Sequence, residues 1–241
     1  MTAKNSTRIL SVQVGLPRTL GVEGANDPMD RPWTSGFQKD PVQGPVWLGN
    51  TNLEGDGQAD LVHHGGVEKA VLAYSAHHYE PWCRELNLAE IPFGAFGENF
   101  TIQGLTEADV CVGDTWQVGE NVLVQVSQPR QPCWKLARRF KRKTLSLEVQ
   151  RTGRTGWYFR VLRQGMVSAG TPITLLQRPY PDWSIARANL VMHSQPHDQA
   201  ETAELAALDL LSVSWRDTLG KRLESQRPAD PTARLLGQND L

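Results

Sequence analysis

Short apolar and β-branched runs separated by glycine-rich turns fill the first two-thirds of this chain. They are Arg8 to Val14, Pro45 to Leu48, Ala70 to Tyr74, Asn99 to Gln103, Asp114 to Val118, Asn121 to Ser127 and Ile173 to Gln177. Runs of this length with such punctuation predict strands. Gly119-Glu120 between two of them predicts a hairpin, so 114–118 and 121–127 should pair antiparallel. Two helical patterns interrupt the series: Ser75 to Leu86, which contains Pro81, and Trp134 through Arg151, rich in Lys and Arg. Strands distributed around such insertions predict a mainly β fold, a closed or partly closed barrel, because a parallel α/β sheet alternates strand and helix regularly.

The period changes after Arg178-Pro179-Tyr180-Pro181 and becomes helical over Trp183 to His193, Asp198 to Leu208 and Trp215 to Leu223. Asp182 is the expected cap of the first helix, and Ser214 with Asp217 the capping box of the third. Leu205, Leu208, Leu211, Trp215 and Leu219 form an apolar stripe. Helices this short do not hold alone, so the stripe must pack on the barrel, on neighbouring helices or on a second copy in a homodimer. The expected division is a β-barrel domain at 1–180 and a three-helix extension with its tail at 181–241. Gln226 to Leu241, with two Pro and few large apolar groups, reads as loosely docked.

Composition narrows the function. The 241 residues carry 25 Lys and Arg against 26 Asp and Glu, so the chain lacks the basic footprint of a nucleic-acid polymer binder. A small ligand is the expected partner. No apolar run reaches the ~18 residues of a membrane span, and the first residues lead into a strand instead of an apolar signal, so a cytoplasmic location away from membranes is expected. Cys83, Cys111 and Cys133 are odd in number and lack C-x-x-C spacing, which reads as reduced thiols. Three Cys fall short of the four ligands of a common iron–sulfur cluster, and no G-x-G-x-x-G follows a strand to seat a dinucleotide.

Three segments could carry chemistry. In Ser127 to Lys135 (SQPRQPCWK), Cys133 opens a basic helix beside Arg130 and Lys135, a setting that favours a thiolate. It could equally be a small buried apolar residue, the reading given to Cys83 and Cys111. Leu53 to Ala70 (LEGDGQADLVHHGGVEKA) clusters glycines before a strand, so that His64 and Lys69 enter one site or form an exposed turn. His77 and His78 read as solvent-facing. Zinc held by two His and a Cys is a minor alternative, because the adjacent His63 and His64 reach one tetrahedral ion only with difficulty. Phe93 to Phe100 (FGAFGENF) sets the acid–amide pair Glu98-Asn99 in a tight loop, where Asn99 could simply bond backbone groups.

Taken together and in this order, these segments, with Gly104-Leu105-Thr106-Glu107, Val112-Gly113-Asp114 and Val126 to Leu136, resemble the MOSC domain, the molybdenum cofactor sulfurase C-terminal domain. The three-helix tail resembles that of the YiiM subgroup, and the likeness extends to Arg234-Leu235-Leu236-Gly237. The resemblance implies a β-barrel, a pterin-bound molybdenum (the molybdenum cofactor, molybdopterin) with Cys133 as metal ligand, and reduction of N-hydroxylated compounds such as hydroxylaminopurine-type bases. Under it, Arg130, Lys135 and Lys69 bind the cofactor, and His64, Glu98 and Asn99 border metal and substrate, with His64 or Glu98 as proton donor. His63 has a weaker claim than His64, since the HGG core needs one histidine. Electrons would come from a separate flavoprotein or ferredoxin, with Arg138 to Lys143 either its landing site or a solvated helix face. Two other functions fit the same residues: a Cys133–His64 hydrolase or transferase, and a non-enzymatic carrier of cofactor or sulfide.

Overall fold

Alternation along Val122–Pro129 buries Val122, Val124 and Val126 on one side, and a strand that buries one face needs a curled sheet to close over it. The computed structural model describes residues 7–61, 64–195, 197–237 and 239. Its strands are β1 (Arg8–Val14), β2 (Arg18–Leu20), β3 (Trp33–Ser35), β4 (Asp40–Pro41), β5 (Val46–Leu48) and β6 (Val71–Ser75). They continue with β7 (Phe100–Gln103), β8 (Thr115–Val118), β9 (Val122–Pro129), β10 (Trp157–Arg163), β11 (Gly165–Val167) and β12 (Ile173–Gln177). The helices are α1 (Tyr79–Leu86), α2 (Lys135–Phe140), α3 (Leu145–Thr152), α4 (Ile185–Asn189), α5 (Gln199–Ala206), α6 (Val213–Ser225) and α7 (Thr232–Leu235). Among the described residues, no helix is long and apolar enough to cross a membrane.

Eight strands form one mixed sheet in the order β12-β8-β9-β10-β6-β7-β1-β4, in which β6 and β7 run parallel. The hairpin expected at Gly119 is present, with Val118 opposite Val122. The sheet curls into a half-barrel. The starts of β1 and β12 approach each other across the curl, where the Ile9 N–H donates to Thr171 O at 2.9 Å and the Ile173 N–H to Thr7 O at 3.1 Å. Five strands escaped the sequence reading, β2, β3, β4, β10 and β11, and the one among them that matters most to the sheet is β10, which lies between β9 and β6 in its middle. Its Trp157 and Phe159 enter the core, while Arg160, facing the other way, pairs with Glu68. The mixed string WYFRVLR conceals a strand whose polar face is occupied by partners distant in sequence.

Helix boundaries differ from expectation for local reasons. The first pattern becomes a 3-10 turn, Ala76–His78, capped by Ser75, followed by α1 with Pro81 in its first turn, where the missing N–H costs nothing. The basic pattern breaks in two at Lys141, whose left-handed backbone (φ 52°) ends α2. Ser184, not Asp182, caps α4, and Ser212, not Ser214, caps α6 through the Trp215 N–H.

Trp183, Leu205, Leu208, Leu211, Trp215 and Leu219 join the hydrophobic cluster that also contains Val112, Trp116 and Val126 of the sheet. The stripe therefore packs on the barrel. A second cluster gathers Tyr74, Tyr79, Trp82 and Phe96 around Leu136 and Val149 of α2 and α3. Within the expected loose tail, 226–233 are exposed, but the described residues beyond them dock: Leu235 and Asn239 are buried, and the Trp134 N–H donates to Arg234 O at 2.8 Å.

Candidate functional site

Cys133 lies between the end of β9 and the start of α2, and neighbours hold its segment at several points. The Arg130 N–H donates to Gly156 O at 3.0 Å, and Cys133 O accepts the Ser146 hydroxyl at 2.7 Å. The Arg234 guanidinium donates to Pro132 O and, at 2.7 Å, to Gln150 Oε1. Cys133 is thus clamped in sequence on both sides, with 7% of its surface exposed. Cys83 is half-buried in α1, and Cys111 is buried with Sγ 3.5 Å from Pro181 O.

The thiol opens on a cleft that is also lined by His64, Lys69, Asn99, Arg130 and Lys135. Lys39 and Tyr158, which the sequence reading did not single out, line it as well. No Asp or Glu lines this cleft among the described residues, and Lys69, Arg130 and Lys135 line it as cations, while Lys39 is paired with Asp56 behind the wall. Such a concave cationic wall concentrates anions. Arg130 is almost wholly buried; its Nη2 reaches Phe96 O at 3.4 Å, while Nη1 has no hydrogen-bond partner among the described residues. A buried guanidinium donor left unpaired is costly, and an anionic ligand would satisfy it.

The cations and burial set the protonation of the other groups. Burial first, then the charge of Lys135, lowers the His64 pKa to about 4 against the opposing pull of Asp60, so the imidazole is neutral at pH 7. Burial lowers the Lys69 pKa from its ordinary value, and burial pushes the Tyr158 phenol up to about 12.

Two site residues from the sequence are consumed by the framework. Glu98 is fully buried and does not line the cleft; its carboxylate accepts the N–H groups of Gly94 at 2.7 Å and Phe96 at 3.1 Å, the Thr101 hydroxyl at 3.0 Å and the Tyr79 hydroxyl. It braces the glycine loop instead of facing substrate. The Asn99 carboxamide accepts the Leu72 N–H at 3.1 Å and donates to Gln13 O and Asp56 Oδ2, leaving no polar atom for a ligand. Asp56 was missed although it stands in the quoted motif; it accepts the Gly15 N–H at 2.8 Å and the ammonium of Lys39. A single carboxylate in a glycine loop reads as turn chemistry until the fold brings distant donors to it.

His78, read as solvent-facing, is buried, with Nε2 2.7 Å from Glu107 Oε2. Within the basic run from Arg138 to Lys143, Arg138 is buried and bonds Asn239 and Arg31 O, whereas Arg139, Lys141 and Lys143 are exposed, Lys141 bonding Met29 O and Asp30 and the half-exposed Arg142 bonding Glu148. Among the described residues no three His, Cys, Asp or Glu side chains gather to hold a metal ion. His63 lies outside the described residues.

Residues 60–174 match the MOSC domain and residues 183–226 the YiiM-like 3-alpha helix domain. Protein YflK of Bacillus subtilis (strain 168) is 42% identical over 92% of this chain and 97% of its own length. The chain belongs to the MOSC family. The MOSC match contains His64, Lys69, Arg130, Cys133 and Lys135, all on the cleft wall. The crystal structure of YiiM from Geobacillus stearothermophilus superposes with a TM-score of 0.74 at 37% identity, covering 90% of this MOSC chain and 99% of that one. A protein of Gibberella moniliformis (strain M3125 / FGSC 7600) named "Reductase" is 38% identical over 80% of this chain, which spans about a third (34%) of that protein.

Proposed function

We propose that the cleft holds the molybdenum cofactor with Cys133 as its protein ligand, and that the chain reduces N-hydroxylated compounds such as hydroxylaminopurine-type bases. The observation supporting this reading is one nearly buried thiol sharing a cleft with Lys69, Arg130 and Lys135, with no carboxylate lining it among the described residues. That donor set fits an anionic pterin phosphate, and a thiolate suits a soft, redox-active metal. The unpartnered Nη1 of Arg130 fits the same ligand. When bound, the cofactor would supply the two-electron redox chemistry that no side chain possesses.

The remaining work falls to the chain. Arg130 and Lys135 bind the anionic portion, while Lys69 adds a cation at the junction with the neighbouring cleft. The net reaction consumes two electrons and two protons, breaks the N–O bond and releases the oxygen as water. Neutral His64 offers an N–H to that departing oxygen, whereas Glu98 is occupied by its loop donors. The relative named a reductase favours electron-transfer chemistry. A separate flavoprotein or ferredoxin brings the electrons.

The test is molybdenum content of the protein made in cells able and unable to build the cofactor, followed by 6-hydroxylaminopurine reduction with a small chemical reductant. Molybdenum near one per chain and turnover only in the first preparation are expected. A metal-free protein from cofactor-competent cells would remove the proposal.

A further inference from the structure

We propose that the helical extension forms the substrate-recognition wall of this site, with Thr218 and Asp230 selecting a flat N-hydroxylated ring that carries N–H donors. The inference rests on the reductase reading only for the N-hydroxyl group. A second cleft, roomier than the first, adjoins it and shares His64, Lys69, Cys133 and Tyr158 with it. Cys133 therefore stands where the two meet.

The far wall of the second cleft is made by the extension. Ser214 and Thr218, four residues apart on α6, share one helix face, and Asp230 and Arg234 follow from the α7 segment. This wall does not float relative to the thiol. Arg234 accepts the Trp134 N–H through its backbone oxygen and donates to Pro132 O through its guanidinium, gripping both neighbours of Cys133. Ser214 in turn donates to Gln128 Oε1 at 3.3 Å, tying α6 to β9.

The two clefts differ in chemistry. The first has no carboxylate among the described residues; the second shares Lys69 and adds Arg234 together with two carboxylates, Asp60 and Asp230, and neutral hydroxyl and carboxamide groups. An anion settles in the first, and a neutral donor-bearing ring in the second. Asp230 uses Oδ1 for both the N–H and the hydroxyl of Thr232, at 2.9 and 2.6 Å, and Oδ2 makes no hydrogen bond among the described residues. Those bonds hold its carboxyl below the ordinary range, so it accepts N–H donors at neutral pH. The Thr218 hydroxyl donates to Ser214 O at 2.8 Å and keeps acceptor capacity toward the cleft.

The experiment uses the full chain, with Asp230→Asn and Thr218→Val. An asparagine Oδ1 accepts the Thr232 N–H and hydroxyl as the aspartate Oδ1 does, so the first variant retains the turn before α7, and melting temperature checks both. Calorimetry measures binding of 2,6-diaminopurine, an unreactive ring with exocyclic amines, to cofactor-free protein. The expected loss is about 10-fold for Asp230→Asn and about 3-fold for Thr218→Val. In loaded enzyme, the kcat/KM preference for 2-amino-6-hydroxylaminopurine over hydroxylamine should fall with the same ordering. No diaminopurine binding by the parent, or binding and preference within about twofold of the parent in both variants, overturns the recognition wall. A protein that binds diaminopurine through Asp230 yet reduces no N-hydroxy compound defeats the reductase reading alone.

Discussion

The Asn99 carboxamide donates to Asp56 Oδ2 at 2.9 Å, across 43 residues of chain. Through this bond the LEGDG loop and the GENF loop become one buried polar unit behind the cleft. Asp56 also neutralises Lys39, whose ammonium is nearly buried, while Asn99 ties β1 to β6 through Gln13 and Leu72. The unit is satisfied only when every member is present.

Asp56→Ala should therefore destabilise the protein by about 3–5 kcal/mol, because it leaves the Lys39 cation buried without its partner. Urea unfolding measures this. A loss below about 1 kcal/mol would mean that Lys39 swings out to water at little cost.

Cys133→Ser should abolish molybdenum retention, whereas Cys83→Ser and Cys111→Ser should retain it, since only Cys133 lines the cationic cleft. Metal analysis of the three purified variants decides the matter. Normal content in Cys133→Ser would discard the ligand assignment.

Gly156 has a φ of 74°, its N–H donates to Glu107 Oε1 at 2.7 Å and its oxygen accepts the Arg130 N–H. A Cβ there would stand 2.3 Å from Ala73 O. Gly156→Ala should cost about 3 kcal/mol or more from strain and overlap. By displacing the backbone anchor of Arg130, it should also lower molybdenum per chain. Unchanged melting and metal content would show that the loop moves freely.

His193 packs edge-on to Trp215 at 6.3 Å, and burial, reinforced by Arg234 and Arg222, lowers its pKa to about 3. The unfolded imidazole titrates near 6.5 and binds a proton that the folded one refuses. Its contribution is complete above pH 6.5 and is lost as pH falls toward 3, by up to ~1.4 kcal/mol per unit. His193→Gln should flatten stability against pH in that window. An unchanged slope in denaturant titrations at pH 7, 6 and 5 would assign the acid sensitivity to other groups.

Removing residues 181–241 should yield insoluble protein, because Val112, Trp116 and Val126 lose the cover of Trp183, Leu211 and Trp215. A soluble fragment with native circular dichroism would contradict this.

Period and punctuation along the chain determined much: most strands of the curled sheet, the β8–β9 hairpin, the apolar stripe of the extension and the segments that reach the cleft. These are local or periodic properties, and they survive in a string of letters. Only the tertiary structure decided what each polar residue faces. Glu98 and Asn99 read as site groups, yet the fold supplies donors and acceptors that consume them, because a buried polar atom takes the partner that topology brings. Lys39 and Tyr158 carry no local signal; Lys39 arrives just before β4 and Tyr158 on β10, while Arg234 reaches the neighbours of Cys133 through a tail that returns across about 100 residues. The cationic character of the cleft belongs to the same class, since a chain with net charge −1 becomes strongly positive in one place only by folding its carboxylates elsewhere.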